Sequence, residues 1–121
     1  MPAAATVGST AAAGAYLEIT QGPFVGKRFS VTEPVCLIGR WDIDSAAFPQ
    51  IDLTDVDTDA KVSRKHARIT KDGDRFLLED LGSLNGTSHQ GSGRLVPGDQ
   101  RQLNNGDTVI MGRLFMRFGT N

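Results

Sequence analysis

The sequence predicts an all-β fold, either a sandwich or a barrel, and three observations support this. Some ten short apolar runs are separated by Gly, Pro, Asn and Asp, which is typical of strands joined by turns. Several runs alternate apolar and polar residues with the period of a half-buried strand, and no segment sustains helical spacing. Asp-Gly and Asn-Gly pairs at 71–74 and 104–107 are strong signals for tight turns between strands.

The predicted strands follow one another at short intervals along the chain. Alternating or continuously apolar residues mark them at Leu17 and Ile19, Phe29 and Val31, 35–38, Ala67 and Ile69, Phe76 and Leu78, 108–111 and 114–118. The segment between Arg40 and Lys61 is rich in Asp, Ala and Pro and lacks clean periodicity. We expect it to be a surface loop that walls a site.

With 121 residues the chain predicts one domain. Residues 1–14 are nearly all Ala, Thr, Gly, Ser and Pro, and such a segment cannot bury enough apolar surface to order itself. We expect residues 1–14 to be a flexible linker or tail, with residues 15–121 as the folded domain. This favours attachment to a larger protein, and an artificial leader is the alternative.

Composition excludes several environments and partners. A formal net charge of −1 gives no general attraction to nucleic acid or to an acidic membrane. No run approaches the roughly 18 apolar residues of a membrane span, and the N-terminus lacks the pattern of a secretory signal. The single Cys36 lies in an apolar run and is expected to be buried, which fits a reducing compartment. We expect a location in the cytoplasm or on the cytoplasmic face of a membrane protein, without membrane insertion or nucleic-acid binding.

Three short polar clusters lie where apolar runs meet loops: Gly39-Arg40, then 63–66 (Ser-Arg-Lys-His), then 83–87 (Ser-Leu-Asn-Gly-Thr). The second cluster lies in a block, 61–71, that contains five bases and no acid. Arginine, serine hydroxyl and asparagine amide groups form charge-assisted and bidentate hydrogen bonds to phosphate. The clusters therefore predict an anion-binding rim if the fold brings them together.

Other chemistries fit these residues less well. The glycines of 22–27 are too close together for a P-loop. One Cys and two His provide no usual zinc set, and 55–59 copies only the first half of a calcium loop, with Ala60 where Gly is needed. We expect no metal and no cofactor.

A catalytic serine is also disfavoured. Ser63 precedes His66 by three residues, and in an extended segment such residues point to opposite faces unless a turn intervenes. No Gly-x-Ser-x-Gly elbow is present, so we expect no enzyme. Each polar residue also has a purely structural explanation: a surface ion pair for Arg40, turn caps for Ser63 and Thr87, a strut for His66, and a type I′ turn at 85–86.

Four blocks, in order, resemble a forkhead-associated (FHA) domain, a phosphopeptide-binding β-sandwich. They are Ile38-Gly39-Arg40, 62–67 (Val-Ser-Arg-Lys-His-Ala), 80–87 (Asp-Leu-Gly-Ser-Leu-Asn-Gly-Thr), and 103–107 (Leu-Asn-Asn-Gly-Asp) leading into 110–112. The resemblance extends from about Tyr16 to Phe118. It implies a two-sheet antiparallel sandwich of about eleven strands, of the FHA/SMAD-like class.

The resemblance also implies a role for individual residues. Arg40 and Ser63 would contact the phosphate of a phosphothreonine, Arg64 would add a second cation or a backbone amide, and Asn85 would hold the peptide main chain. Lys61 would read a flanking residue, with an acidic or polar preference. The remaining matched positions, Gly39, His66, Gly86 and Thr87, would support the site.

One position departs from the pattern of some relatives. They carry threonine directly before the asparagine, whereas this chain has Leu84. The Leu84 amide could still serve the phosphate, and its side chain could line the apolar notch for the threonine methyl. The sequence thus predicts a non-catalytic phosphothreonine-dependent interaction module for signalling, which recruits a partner phosphorylated by a Ser/Thr kinase. The alternative is a scaffold or self-association domain with the same fold that ignores phosphorylation.

Overall fold

The computed structural model describes residues 15–91 and 93–120, and the predicted linker at 1–14 lies outside them. Eleven strands within these residues form two sheets, which confirms the predicted all-β sandwich. The first sheet has the order β2-β1-β11-β10-β7-β8, with the bounds Arg28–Val31, Ala15–Ile19, Leu114–Thr120, Thr108–Met111, Thr87–His89 and Gly93–Arg94. The second has the order β4-β3-β5-β6-β9, with the bounds Ile51–Asp52, Val35–Gly39, Ala67–Asp72, Arg75–Asp80 and Gln100–Leu103.

The core lies between the sheets and is built by the alternation seen in the sequence. β1 buries Leu17 and Ile19, and β6 buries Phe76 and Leu78. The residue between each pair, Glu18 or Leu77, is partly exposed. The rings of Phe76 and Phe118 meet with centroids 5.3 Å apart. Cys36 is fully buried, as expected from its apolar run. The described residues include no helix of the length and apolarity needed to cross a bilayer.

The Asp-Gly signal at 71–74 forms the predicted hairpin. Asp72 pairs with Arg75, which leaves Gly73 and Asp74 as a two-residue loop, and Gly73 has a φ of 62°. Such a turn requires a positive φ, which glycine adopts without steric cost.

The segment between Arg40 and Lys61 is more than the predicted surface loop. It contributes β4, which pairs with β3 in parallel, whereas the other strand pairs are antiparallel within the described residues. It also buries Ala47, Ile51, Leu53 and Val56. These apolar residues are spaced irregularly because the segment turns repeatedly, and periodicity therefore does not detect them.

The strand order places the polar clusters at one end of the sandwich. Ile38 near the end of β3 and Asp80 at the end of β6 both pair with Ala67 at the start of β5. The connections that follow Gly39, precede β5 and follow Asp80 therefore emerge side by side.

Candidate anion-binding site

Arg40 follows β3 directly and is held by the neighbouring segment. Its Nε donates to the carbonyl of Val62 at 2.6 Å and lies 3.9 Å from a carboxylate oxygen of Asp57. Its amide donates to the carbonyl of Arg64 at 3.2 Å. A Cβ on Gly39 would lie 1.9 Å from that carbonyl oxygen, so glycine is needed for the close approach of 62–64 to the end of β3.

Asp57 shapes the segment that carries Ser63. Its buried carboxylate accepts hydrogen bonds from the amides of Lys61 and Val62, both at 2.9 Å. Two backbone donors and a nearby guanidinium satisfy the charge that burial would otherwise penalise. Sequence reasoning did not select Asp57 as a site residue, and the available signal was an acidic residue just upstream of a polar cluster.

His66 joins the two loops of the rim. The fully buried ring accepts a hydrogen bond from the Ser63 amide at Nδ1 (3.0 Å), so its proton resides on Nε2, which donates to the Gly86 carbonyl at 2.9 Å. Burial lowers the pKa of His66 below 6.5, against the opposing effects of that carbonyl and nearby carboxylates, and the ring is neutral at neutral pH. A turn between Ser63 and His66 does bring the two residues together. The histidine ring contacts the serine amide and not the serine hydroxyl, so the contact is structural and does not activate a nucleophile.

The Ser63 hydroxyl is oriented by the facing loop. Its Oγ accepts a hydrogen bond from the Leu84 amide at 3.1 Å. The hydroxyl proton has no described acceptor on the protein and is available to a ligand. The Leu84 amide is thus used within the rim, and the Leu84 side chain is 84% exposed.

Asn85 closes the rim beside Lys61. Its side-chain Nδ2 donates to the Lys61 carbonyl at 2.9 Å, and the residue is exposed. Gly86 follows with a φ of 86°, and a Cβ there would lie 2.5 Å from Nε of Arg94. Glycine therefore permits both the backbone turn and the close packing of that arginine.

Asp80 organises the loop that carries Leu84 and Asn85. One carboxylate oxygen accepts from the amides of Gly82 (2.9 Å) and Ser83 (3.1 Å), and the other accepts from the hydroxyls of Ser83 (2.5 Å) and Thr87 (2.7 Å). Burial alone would raise the pKa of Asp80, but these hydrogen bonds together lower it below its ordinary value. Thr87 is fully buried beside it, and Ser83 Oγ accepts from the Gly86 amide at 3.0 Å.

Three further cations surround this rim. Arg64 is exposed, and its Nε lies 2.8 Å from a carboxylate oxygen of Asp42. Lys61 and Arg113, with Asn85 and Gly112, line a depression of about 220 Å³. Arg113 is loosely paired with Asp59 at 3.8 Å. The structure therefore brings Arg40, Ser63, Arg64, Asn85 and Lys61 to one end of the sandwich. Asp57 and Asp80 support this rim, and Arg113 lies beside it, although sequence reasoning selected none of the three as a site residue.

The chain is thus a β-sandwich with arginine, hydroxyl and amide donors on the loops at one end. This arrangement is typical of domains that bind a phosphorylated ligand. Residues 36–112 match the family model of the FHA domain. The chain belongs to the FHA domain family, as its sequence motifs suggested.

Curated relatives and a solved structure agree with this assignment. The chain is 41% identical over 75 residues to the FHA domain-containing protein FhaB of Mycobacterium tuberculosis, which covers 62% of the chain and 43% of the relative. It is 38% identical over 106 residues to the glycogen accumulation regulator GarA of Mycolicibacterium smegmatis, which covers 88% of the chain and 59% of the relative. The chain thus spans about half the length of the curated relatives that it matches.

Among solved structures, one from a study of phosphothreonine-dependent FHA domain interactions superposes with a TM-score of 0.68. It is 29% identical, and the match covers 89% of this chain and 97% of the other.

Proposed function

We propose that this domain binds phosphothreonine in a partner protein and performs no catalysis. Arg40 and Ser63 contact the phosphate oxygens, Arg64 adds a second cation, and Asn85 holds the peptide main chain. The binding site is the rim formed by the loops after β3, before β5 and after β6.

The orientation of the Ser63 hydroxyl carries this proposal. The Leu84 amide occupies an acceptor position of Oγ, and the hydroxyl proton, which has no described acceptor on the protein, can be donated to a ligand. Beside it, Nε of Arg40 is fixed on the Val62 carbonyl, and its two terminal nitrogens have no described hydrogen-bond partner. A phosphate dianion presents three strong acceptor oxygens and no donor, which complements a rim of preoriented donors.

A flanking acidic residue is the expected secondary preference. The depression beside Asn85 contains the cations Lys61 and Arg113. Because the Lys61 carbonyl holds the Asn85 amide, a peptide lying across Asn85 reaches this depression next. A carboxylate there gains hydrogen bonds and charge pairing, mainly at low salt, since both cations are solvent-accessible.

Leu84 supplies the basis for a threonine preference. Its side chain is exposed on the same rim, next to the Ser63 hydroxyl that its own amide orients. Packing against the methyl group of phosphothreonine buries about one carbon, which corresponds to about a fourfold preference over phosphoserine.

The relatives support a regulatory setting. The structure noted above comes from work on phosphothreonine-dependent interactions of FHA domains, and GarA is a glycogen accumulation regulator. We propose that residues 15–121 act as the recognition domain of a larger cytoplasmic protein, tethered through residues 1–14. Its partner carries the mark of a Ser/Thr kinase.

Titration with matched peptides tests the proposal. Peptides of one sequence with phosphothreonine, phosphoserine or threonine are measured by calorimetry against the parent domain and its variants. Arg40→Ala should lower affinity for the phosphothreonine peptide by tenfold or more, because a charge-assisted hydrogen bond contributes about 1.5 to 3 kcal/mol. Ser63→Ala should lower it several-fold.

Arg75→Ala is the matched control. Arg75 is an exposed arginine in the β5–β6 hairpin, at the opposite end of β5 from the rim, and its described ion pair is with Asp72. Its removal should leave affinity unchanged. Equal binding of phosphorylated and unphosphorylated peptides would refute the proposal and favour a phosphorylation-independent scaffold.

A further inference from the structure

Three large apolar side chains are exposed together in the loop after Arg40. Trp41, Ile43 and Phe48 are 55%, 73% and 45% exposed, and the rings of Trp41 and Phe48 contact each other at a tilt of 54° with centroids 4.8 Å apart. We call these three residues the apolar platform. The other large exposed apolar residues in the described part of the chain lie in separate elements and loops: Val25, Val35, Leu84 and Val96. Clustering of this kind on a surface marks a contact site more often than scattered exposure does.

The segment that presents the platform is well ordered by hydrogen bonds. Asp42 and Ala47 exchange two backbone hydrogen bonds, at 2.9 and 2.8 Å, and Ala47 is fully buried. The amide of Trp41 donates to the hydroxyl of Thr54 at 3.0 Å. The platform therefore keeps its apolar side chains in solvent although its backbone is anchored, which costs free energy in the unbound domain.

The platform is continuous with the rim. Trp41 follows Arg40 in the chain, and Asp42 pairs with Arg64 at 2.8 Å. The amide of Arg40 also donates to the Arg64 carbonyl. A peptide whose phosphate lies on Arg40 can therefore reach the platform with a residue near the phosphothreonine, since an extended chain advances about 3.3 Å per residue.

Resting on the proposed phosphothreonine function, we propose that the platform binds a large apolar side chain of the same phosphorylated partner, near the phosphothreonine. A second copy of this chain is a poorer occupant, because three partly exposed side chains offer far less than the roughly 800 Å² per partner of a stable interface. Residues 1–14 fit poorly too, since Met1 and Val7 are their only large apolar residues. A partner segment that is already anchored by its phosphate needs only a small additional contact to bind more tightly.

The experiment scans a polar phosphothreonine nonapeptide with leucine at each of the four positions on either side. At one or more positions, leucine should tighten binding by about tenfold, the gain expected for burying most of a leucine side chain. Trp41 is the chain's only tryptophan, so its fluorescence reports contact directly. The emission should shift to the blue with the leucine peptide that binds best and change little with the polar peptide.

Two variants separate the platform from the phosphate site. Ile43→Ser and Phe48→Ser should each remove most of the gain from leucine, while affinity for the polar phosphopeptide stays unchanged. Val35→Ser is the control, because Val35 is about half exposed at the opposite end of β3 from Gly39. It should preserve both the gain and the affinity for the polar peptide.

The outcomes distinguish this proposal from the proposed function. If the polar phosphopeptide binds but leucine helps at no position, or if the gain survives both serine variants, the platform proposal fails and phosphate reading stands. If no phosphopeptide binds at all, the proposed function fails and the platform proposal fails with it. A concentration-dependent blue shift of Trp41 without peptide, abolished by Phe48→Ser, would assign the platform to self-association and overturn the proposal.

Discussion

Two buried carboxylates shape the two sides of the rim, and they differ in what they hold. Asp80 accepts hydrogen bonds from the 82–87 loop alone, through two amides and two hydroxyls. Asp57 accepts from the amides of Lys61 and Val62 and also lies near the guanidinium of Arg40. The carboxylate that fixes the 82–87 loop therefore contacts groups of that loop alone. The carboxylate that fixes the 61–63 segment also lies beside Arg40, a residue of the proposed phosphate site.

This difference assigns different consequences to the two positions. Loss of Asp80 removes the internal support of a loop and leaves buried donors without an acceptor, so it acts mainly on folding stability. Loss of Asp57 disturbs the segment that presents Ser63 and removes a carboxylate from beside the Arg40 guanidinium, so we expect it to act mainly on ligand affinity. Substitutions at the two carboxylates test this division. A pH dependence at His66, which joins the two loops, and a substitution at Asp42, which pairs with Arg64, sharpen it.

The largest effect is expected for Asp80→Ala. The fully buried hydroxyl of Thr87 and the donors of Gly82 and Ser83 lose their acceptor. Leaving such groups unsatisfied costs about 1 to 3 kcal/mol each, partly relieved by water, so the free energy of unfolding should fall by roughly 3 kcal/mol. Urea denaturation of the free domain measures this change.

Asp80→Asn is the matched control for this substitution. It retains the size of the side chain and one acceptor oxygen, so it should cost less than the alanine variant. Unchanged stability of Asp80→Ala would mean that the 82–87 loop is not held by this carboxylate.

The second effect is expected for Asp57→Ala. The amides of Lys61 and Val62 lose their acceptor, and the segment that presents Ser63 loses its fixed geometry. Affinity for a phosphothreonine peptide should fall about tenfold, because hydrogen bonds to the phosphate then form at the cost of ordering the segment. Calorimetry measures affinity and urea denaturation measures stability, which should fall less than in Asp80→Ala. The reverse order of the two stability losses would contradict the division between the carboxylates.

Much of the fold was predictable because its strands follow simple alternation. Leu17 and Ile19, or Phe76 and Leu78, point to the same side of their strands, so binary pattern alone identifies them. Ile51, Leu53 and Val56 were missed as core residues because each enters the core from a turn or a two-residue strand. Regular spacing does not exist where the backbone has no regular repeat.

The candidate site, like the fold, has parts that the sequence predicts and parts that it does not. The proximity of Arg40, Ser63 and Asn85 was predictable because the motifs that contain them resemble those of the FHA domain in the same order. The role of Asp57 was not, because its carboxylate acts on amides four and five residues later, through a turn that no pattern of side chains encodes. The use of the Leu84 amide by Ser63 likewise depends on how two loops face each other.

The third effect concerns the histidine that connects the two loops, and it appears as a pH dependence. Burial lowers the pKa of His66 in the folded domain below its unfolded value near 6.5. The unfolded chain therefore binds more protons between these two values, and the free energy of unfolding should decline as the pH falls below about 6.5. Protonation also removes the Nδ1 acceptor of the Ser63 amide.

Urea denaturation of the free domain between pH 5 and 7.5 measures this decline without interference from titration of a phosphopeptide. His89→Gln is the control, because the second histidine pairs with Asp107 away from the loop contacts of His66. The decline should persist in that variant. A free energy of unfolding that is flat across this range would rule out a neutral buried His66 as the link between the loops.

The smallest effect is expected at a third carboxylate, Asp42, which is partly exposed and which we expect to compete with the phosphate for Arg64. Asp42 pairs with Arg64, and Asp42→Asn keeps the side-chain shape while releasing the guanidinium. Affinity for a polar phosphothreonine peptide should rise about two- to threefold at low salt, since ion pairs at the protein surface are weak, and the gain should shrink at high salt. The double variant Asp42→Asn with Arg64→Ala should show no gain over Arg64→Ala alone.

Two other outcomes would assign Asp42 a different role. A gain in affinity that persists without Arg64 would mean that Asp42 repels the phosphate directly. A loss of affinity would mean that the hydrogen bonds that Asp42 accepts from the Ser45 hydroxyl and the Asp44 amide shape the rim, as those of Asp57 do.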